Sequence, residues 1–201
     1  KVIVTIKYVY GANNAPVDSD TVYQIQKGAD LSQELSLPVM EGYDAYLEDN
    51  TENIYTTYSV DLTNVTEDKV ITFKYWPAKV NYTVIYYWQN AEDDNYTEYE
   101  RQSMTGFTGE NTIVEEKEYE GFYRLLYEKV PIASDGSTVI EVYYDRLYYK
   151  MIFNLDGGYG VQPIYARYGT PITVSDPTKA GYKFIGWDDI TNDSGDGRED
   201  G

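Results

Sequence analysis

Short stretches in which apolar residues alternate with polar ones, or stand beside aromatic ones, recur along the chain with a period of two. Residues 2–10, 82–88 and 149–155 are rich in β-branched and aromatic residues, and each stretch ends at a turn that contains Gly, Asn or Asp. Residues 70–76 and 139–144 have the same character. The pattern predicts β-strands. Because apolar residues occupy both faces of most of them, we expect sheets with one covered face and one face that carries aromatic side chains.

A helical pattern is much rarer than a strand pattern. Residues 30–36 begin with Asp30, a good N-cap residue, and lie just before Pro38, a residue that ends helices. We expect one or two helical turns in this segment. The predicted fold class is therefore a β-rich α+β fold.

A fixed order of landmarks occurs three times, which predicts repeated modules rather than one continuous fold. Each unit opens with a strand, passes a turn centred on a glycine (the turn glycine), and reaches a second glycine that precedes an aromatic residue (the signature glycine). The turn glycines are Gly28, Gly109 and Gly169, and the signature pairs are Gly42 with Tyr43, Gly121 with Phe122, and Gly181 with Tyr182. Within a unit the two glycines are 14, 12 and 12 residues apart.

The predicted units are residues 1–78, 79–147 and 148–201. The first two close with a strand that runs almost directly into the opening strand of the next unit, whereas the third reaches Trp187 without a closing strand. We expect either that the third unit is truncated or that its last strand is degenerate. Such short connections favour a stiff, elongated array over modules on flexible linkers.

The signature glycine lies where the chain enters a strand after a turn. Glycine suits this place because it adopts positive φ and lets a neighbouring segment approach closely. The aromatic residue after it is expected to plug the small core of its unit. The predicted structural residues are Gly42, Tyr43, Gly121, Phe122, Gly181, Tyr182 and Trp187.

The third unit carries the most specific motifs. Residues 149–158, residues 168–174 and the run Pro-Thr-Lys-Ala-Gly-Tyr-Lys-Phe-Ile-Gly-Trp at 177–187 resemble the Listeria–Bacteroides repeat, also called the internalin B-repeat. The first unit opens with Val-Thr-Ile-Lys-Tyr at 4–8, passes Glu-Gly-Tyr at 41–43 and closes with Ile-Thr-Phe-Lys-Tyr at 71–75. With these motifs, the first two units are similar, more loosely, to mucin-binding-protein repeats. The resemblance implies small β-grasp-like modules in an exported protein of a Gram-positive bacterium, with a role in adhesion or display at the cell wall.

Charge and composition exclude several classes of function. Among 201 residues, 34 are Asp or Glu and 16 are Lys or Arg, so the net charge is −18. This balance argues against nucleic acid and against an anionic membrane surface as partners. The chain contains no Cys and no His, which excludes thiolate metal sites, thiol catalysis and histidine acid–base chemistry. No apolar run is long enough to span a membrane.

Two further kinds of site are weak in the sequence. Carboxylate pairs such as Glu115 and Glu116 are too common in so acidic a chain to indicate a hydrolase, and we predict no catalytic residues. The acidic loop at 91–98 and the Asp- and Gly-rich segment at 192–197 contain oxygen ligands that calcium prefers, but neither has a complete ligand set. We therefore predict no metal ion and no cofactor.

Tyrosine is the most unusual component, with 24 residues. Aromatic side chains on strands either stabilise thin sheets or form a platform that stacks on sugars or packs against a protein. The candidates for such a platform are Trp76, Tyr87, Trp88, Tyr143 and Tyr144.

The sequence therefore predicts non-catalytic adhesion or stalk modules of an extracellular protein attached to the bacterial cell wall, in which host glycans or glycoproteins are the expected partners. A pure spacer and an accessory module of a secreted carbohydrate-active enzyme stay open as alternatives. We expect the chain to be a monomeric fragment of a larger surface protein.

Overall fold

The computed structural model describes residues 1–30 and 32–188, and these residues form an all-β structure. The strands are β1 (Val2–Tyr10), β2 (Thr21–Ile25), β3 (Ser32–Ser36), β4 (Tyr43–Leu47), β5 (Thr57–Asp61), β6 (Lys69–Pro77), β7 (Lys79–Gln89), β8 (Tyr96–Phe107), β9 (Phe122–Arg124), β10 (Val139–Arg146), β11 (Tyr148–Met151) and β12 (Ile164–Arg167). No helix occurs in this part of the chain. The α+β class predicted from the sequence is therefore wrong.

The error lies in the segment expected to be helical. Residues 32–36 form β3, which pairs with β5 in a two-stranded antiparallel sheet. Leu35 packs against the first core and Leu37 is buried in it, so the apolar residues follow the period of two of a strand. An isolated helix of two turns is marginal in water, whereas β5 supplies backbone partners and the core covers both leucines.

The first large sheet has the strand order β2-β1-β6-β4. The opening strand β1 forms an antiparallel hairpin with β2 and runs parallel to the closing strand β6, which pairs with β4. Alternate residues of β1 point into the core, where Val4 and Ile6 are fully buried. Phe73 of β6 lies beside them in the same cluster.

The second large sheet repeats this topology. Its order is β8-β7-β10-β9, with β7 and β8 in an antiparallel hairpin, β7 parallel to β10, and β9 antiparallel to β10. Strands β7, β8, β10 and β9 thus correspond to β1, β2, β6 and β4. A separate core cluster lies under this sheet and includes Tyr82, Val84, Val142 and Tyr144.

The third unit is smaller in the described residues. It contains the antiparallel pair β11–β12, and the rings of Phe153 and Phe184 lie 5.1 and 5.2 Å from the ring of Trp187. One residue separates the sheets on each side of the second unit: Ala78 links β6 to β7, and Leu147 links β10 to β11. Each core cluster lies within one predicted unit; the domain boundaries themselves stay a prediction.

Candidate functional site

The first inter-unit junction is centred on Ala78. Its N–H donates a hydrogen bond to the carbonyl of Gly42 over 2.8 Å, and its own carbonyl accepts one from the N–H of Thr108 over 3.1 Å. Gly42 has a φ of 74°, and a Cβ there would lie 2.4 Å from the Cβ of Ser134. The signature glycine of the first unit is therefore in contact with the second unit.

The second junction uses the same pair of hydrogen bonds. The N–H of Leu147 donates to the carbonyl of Gly121 over 2.8 Å, and the carbonyl of Leu147 accepts from the N–H of Tyr168 over 2.8 Å. Gly121 has a φ of 79°, and a Cβ there would lie 2.1 Å from the ring of Tyr168. Thr108 and Tyr168 each immediately precede the turn glycine of their unit, so the two junctions are equivalent position by position.

Arg146 adds further contacts at the second junction. Its Nε donates to the carbonyl of Gln89 over 2.6 Å, and its Nη1 donates to the carbonyl of Tyr168 over 2.7 Å. The guanidinium lies 4.7 Å from the centre of the Phe122 ring, which is cation–π geometry. One side chain thus connects the hairpin of the second unit, its signature aromatic residue and the third unit.

The acidic loop between β7 and β8 also serves this junction. Arg167 of the third unit pairs with the carboxylate of Asp94 and donates to the carbonyl of Asp93. The carboxylate of Asp93 accepts hydrogen bonds from the backbone N–H of Asn95 and from the side chain of Asn90, which lower its pKa. The loop that the sequence presented as an incomplete calcium site therefore binds the protein itself.

No group of three or more metal-ligating side chains occurs within residues 1–30 and 32–188. The segment at 192–197 lies outside the described residues. In the same part of the chain, no helix is long and apolar enough to cross a membrane.

The signature aromatic residues differ between units. Tyr43 packs against the first core and Phe122 against the second, as plugs would. Tyr182 is 73% exposed, and its ring contacts the Lys179 ammonium at 4.5 Å. The expectation that Tyr182 plugs a core is wrong, because the described part of the third unit has no closing strand to cover it.

The five platform candidates occupy three kinds of place. Tyr144 is buried and donates its hydroxyl hydrogen bond to the carbonyl of Lys117, so its ring is part of the core and offers no platform. Trp88 is stacked between Tyr99 and Phe122, at 3.5 and 4.5 Å between ring centres. These two side chains stabilise the second unit.

Trp76 lies on the first unit and is 39% exposed. A Cβ on Gly11 would lie 2.1 Å from its indole, so Gly11 lets the indole lie flat on the backbone. Tyr87 and Tyr143 stand on the outer face of the second sheet with their rings stacked at 4.9 Å. Of the five candidates, the structure brings only this pair together in an accessible place.

An open cleft of about 540 Å³ lies at the second junction. Trp88, Tyr99 and Glu98 of the second unit line it, together with Gly169 and Pro171 of the third. Tyr99 keeps 52% of its surface exposed. Sequence reasoning missed Tyr99 because only the pairing of β7 with β8 places it on the indole of Trp88.

Comparisons with known proteins return no family: no protein-family model matches the chain, and no curated protein matches it either.

Proposed function

We propose that this chain is a non-catalytic stalk segment of an extracellular protein on a bacterial cell wall. The observation that carries the proposal is the recurrence of one junction geometry. At both junctions a single linking residue, Ala78 or Leu147, bonds to the signature glycine behind it and to the residue before the next turn glycine. A one-residue linker that is hydrogen-bonded on both sides restricts the orientation of successive modules, as a stalk requires.

The high negative charge supports the same function. A chain with a net charge of −18 repels itself, which keeps an extended array soluble and opposes its collapse. The resemblance to Gram-positive surface repeats supports the location at the cell wall. An antibody raised against this chain should label intact cells that express the protein; labelling that appears only after lysis would contradict the location.

Small-angle X-ray scattering of the monomer tests the stalk. We expect the distance distribution of a stiff elongated particle. Four residues, Gly-Ser-Gly-Ser, inserted after Ala78 should broaden that distribution, whereas the same insert after the exposed Glu52 should not, because it leaves both junctions intact. A wild-type distribution as broad as that of the Ala78 insertion, or that of a compact sphere, would contradict the proposal.

A second candidate function is recognition of a neutral glycan in the cleft at the second junction. The half-exposed ring of Tyr99 is held flat on Trp88, and such a rigid ring presents a face on which a sugar can stack. Glu92, Asp93 and Glu98 line the same cleft, so sialylated glycans would be repelled.

A glycan array tests this second candidate. Wild-type protein should bind neutral glycans, and Tyr99→Ala should lose that signal. Tyr149→Ala removes a tyrosine that is also half exposed but does not line the cleft, and it should retain binding. Equal binding by both variants, or silence of the wild-type protein, would refute the glycan site and leave the stalk function standing.

A further inference from the structure

Four tyrosines gather on the outer face of the second sheet, opposite its core. Tyr87 and Tyr143 are stacked with an interplanar angle of 14°, and the ring of Tyr96 meets Tyr143 edge-on at 4.8 Å. Tyr123 stands on the neighbouring edge strand β9 and is 49% exposed. We call this set of four residues, together with the carboxylates of Glu141 and Asp145, the tyrosine face.

Each carboxylate of the tyrosine face is held by two phenol hydroxyls. Glu141 accepts hydrogen bonds from Tyr143 over 2.8 Å and from Tyr87 over 3.4 Å. Asp145 accepts from Tyr96 over 2.5 Å and from Tyr123 over 3.1 Å. All four oxygens are thus fixed in position before any ligand arrives.

Among the described residues, neither carboxylate forms an ion pair with a lysine or arginine. Arg101 flanks this face on β8, opposite Ile85 of β7, and its guanidinium is bound by Glu98 over 2.9 and 3.0 Å. Within the part of the chain that the structure describes, the face therefore carries two negative charges without an ion-pair partner. They lie among aromatic rings whose faces attract cations.

The hydrogen-bonding capacity of the face selects the same kind of ligand. All four hydroxyls already donate their protons to carboxylates, so only lone pairs remain for a ligand. The hydrogen bond to Glu141 raises the pKa of Tyr143 to about 12, and that to Asp145 raises the pKa of Tyr96 to about 12; both hydroxyls keep their protons at neutral pH. A ligand complementary to this surface must supply donors and positive charge, which Lys and Arg side chains do.

We propose that the tyrosine face is a docking surface for a lysine- or arginine-rich segment of a partner protein. Charge complementarity carries the choice: the face has two carboxylates that form no ion pair with a described lysine or arginine, within a chain of net charge −18, and it offers acceptors without free donors. Cationic side chains would contact the carboxylates and the tyrosine rings together, while an acidic or sialylated partner would be repelled.

Fluorescence anisotropy with a labelled, end-capped octalysine peptide tests the docking surface in about 0.1 M salt, where general attraction is screened. We expect saturable binding that Glu141→Gln with Asp145→Asn weakens about tenfold. The matched control, Asp18→Asn with Asp20→Asn, removes the same charge from exposed residues of the first unit and should change affinity less than about twofold.

Equal losses from the two double variants would show attraction to the net charge alone and would overturn the proposal, as would the absence of saturable binding by the wild-type protein. Thermal unfolding verifies that the carboxylate variants fold. Tyr123→Leu provides a second perturbation at an exposed edge position; it removes one ring and one hydroxyl without changing the charge, and it should weaken binding severalfold. Unchanged affinity for this variant would refute the participation of the tyrosines.

Discussion

The geometry of the second junction predicts that Gly121→Ala destabilises the protein. Gly121 is buried between the second and third units, and it has a φ of 79°. A methyl group there would overlap the ring of Tyr168, at 2.1 Å from its nearest carbon. Tyr168 cannot retreat freely, because its N–H bonds to Leu147 and its carbonyl bonds to Arg146. We therefore expect the substitution to damage the junction as well as the local backbone.

The expected cost has two parts. A left-handed conformation costs a non-glycine residue about 1–2 kcal/mol. Overpacking of a well-packed site adds about 1–3 kcal/mol. Gly121→Ala should therefore lower the free energy of unfolding by about 2–5 kcal/mol. If Tyr168 moves to relieve the overlap, the hydrogen bonds that hold it are lost. The overpacking is then smaller, but the third unit is bound more weakly to the second.

Gly109→Ala is the matched control. Gly109 lies in the same unit with a φ of 83°, and nothing lies within 4 Å of an added Cβ. This variant should lower the free energy of unfolding only by the backbone cost, about 1–2 kcal/mol. Urea unfolding followed by tryptophan fluorescence measures both variants, and amide hydrogen exchange reports on the Leu147 and Tyr168 N–H groups. Only Gly121→Ala should accelerate exchange at these two amides.

A double-mutant cycle isolates the contact. In a Tyr168→Ala background the ring is absent, and Gly121→Ala should then cost no more than Gly109→Ala. If the two glycine variants have the same cost in the wild-type background and leave exchange at Leu147 unchanged, the signature glycine serves its own unit only. The reasoning on the junctions would then be wrong.

Three further outcomes follow from the cores. Phe73→Ala should cost about 3–5 kcal/mol and accelerate amide exchange in β1 and β6 but not in β7 and β10; loss of protection in both sheets would contradict two separate cores. Tyr75→Phe removes the hydroxyl that donates to the carbonyl of Pro38 over 2.7 Å and should cost about 1–3 kcal/mol, whereas Tyr182→Phe at the exposed position should stay within about 0.5 kcal/mol. Burial raises the pKa of Tyr75 and of Tyr86 from 10.0 to about 12, so their contribution to stability is complete below pH 10 and is lost as the pH rises towards 12; a thermal unfolding temperature that stays constant across that range would refute it.

The long strands were predictable because local pattern and tertiary environment agree. The runs at 2–10, 70–76, 82–88 and 139–144 form β1, β6, β7 and β10, and these are the central strands whose β-branched and aromatic residues are buried. The run at 149–155 is a strand only as far as Met151. Its exposed residues have no described closing strand beside them, and strand propensity depends on such a neighbour.

Residues 32–36 show where local signals fail. An N-cap residue and a following proline describe a helix by its ends only, and Leu35 with Leu37 fits a strand as well as a turn of helix. The segment is a strand because β5, which lies about 25 residues later in the chain, supplies its backbone partners. The pairing runs from Ser32 with Asp61 to Ser36 with Thr57. A reading of neighbouring residues contains no information about such a partner.

The tyrosine face was predictable only in part, for a similar reason. Tyr87 and Tyr143 were identifiable as aromatic residues on strands. That Glu141 and Asp145 lie beside tyrosines follows only from the strand registers. Tyr143 lies opposite Tyr87 across β10 and β7, and Asp145 lies opposite Tyr123 across β10 and β9. Sequence reasoning also offered Tyr144, because alternation on a strand with aromatic residues on both faces does not indicate which face is the core.

The strand order explains why a glycine recurs at the signature position. In both large sheets the strand after the signature glycine is an edge strand that runs antiparallel to the closing strand, with Tyr43 opposite Pro77 and Phe122 opposite Arg146. The residue before that strand must then lie opposite the residue after the closing strand, which is the linker. Any side chain at the signature position would therefore project towards the next unit.

The aromatic residue and the glycine of the signature consequently differ in their main contacts, although the Phe122 ring also meets the Arg146 guanidinium at the junction. The ring faces the core of its own unit, and the glycine leaves room for the following one. Phe122→Leu should thus lower mainly the stability of the second unit and, through the lost contact with Arg146, accelerate exchange of the Leu147 amide only slightly, whereas Gly121→Ala should expose that amide first. Hydrogen exchange measured on the two variants under the same conditions distinguishes these effects, and identical exchange profiles would mean that core and junction form a single cooperative unit.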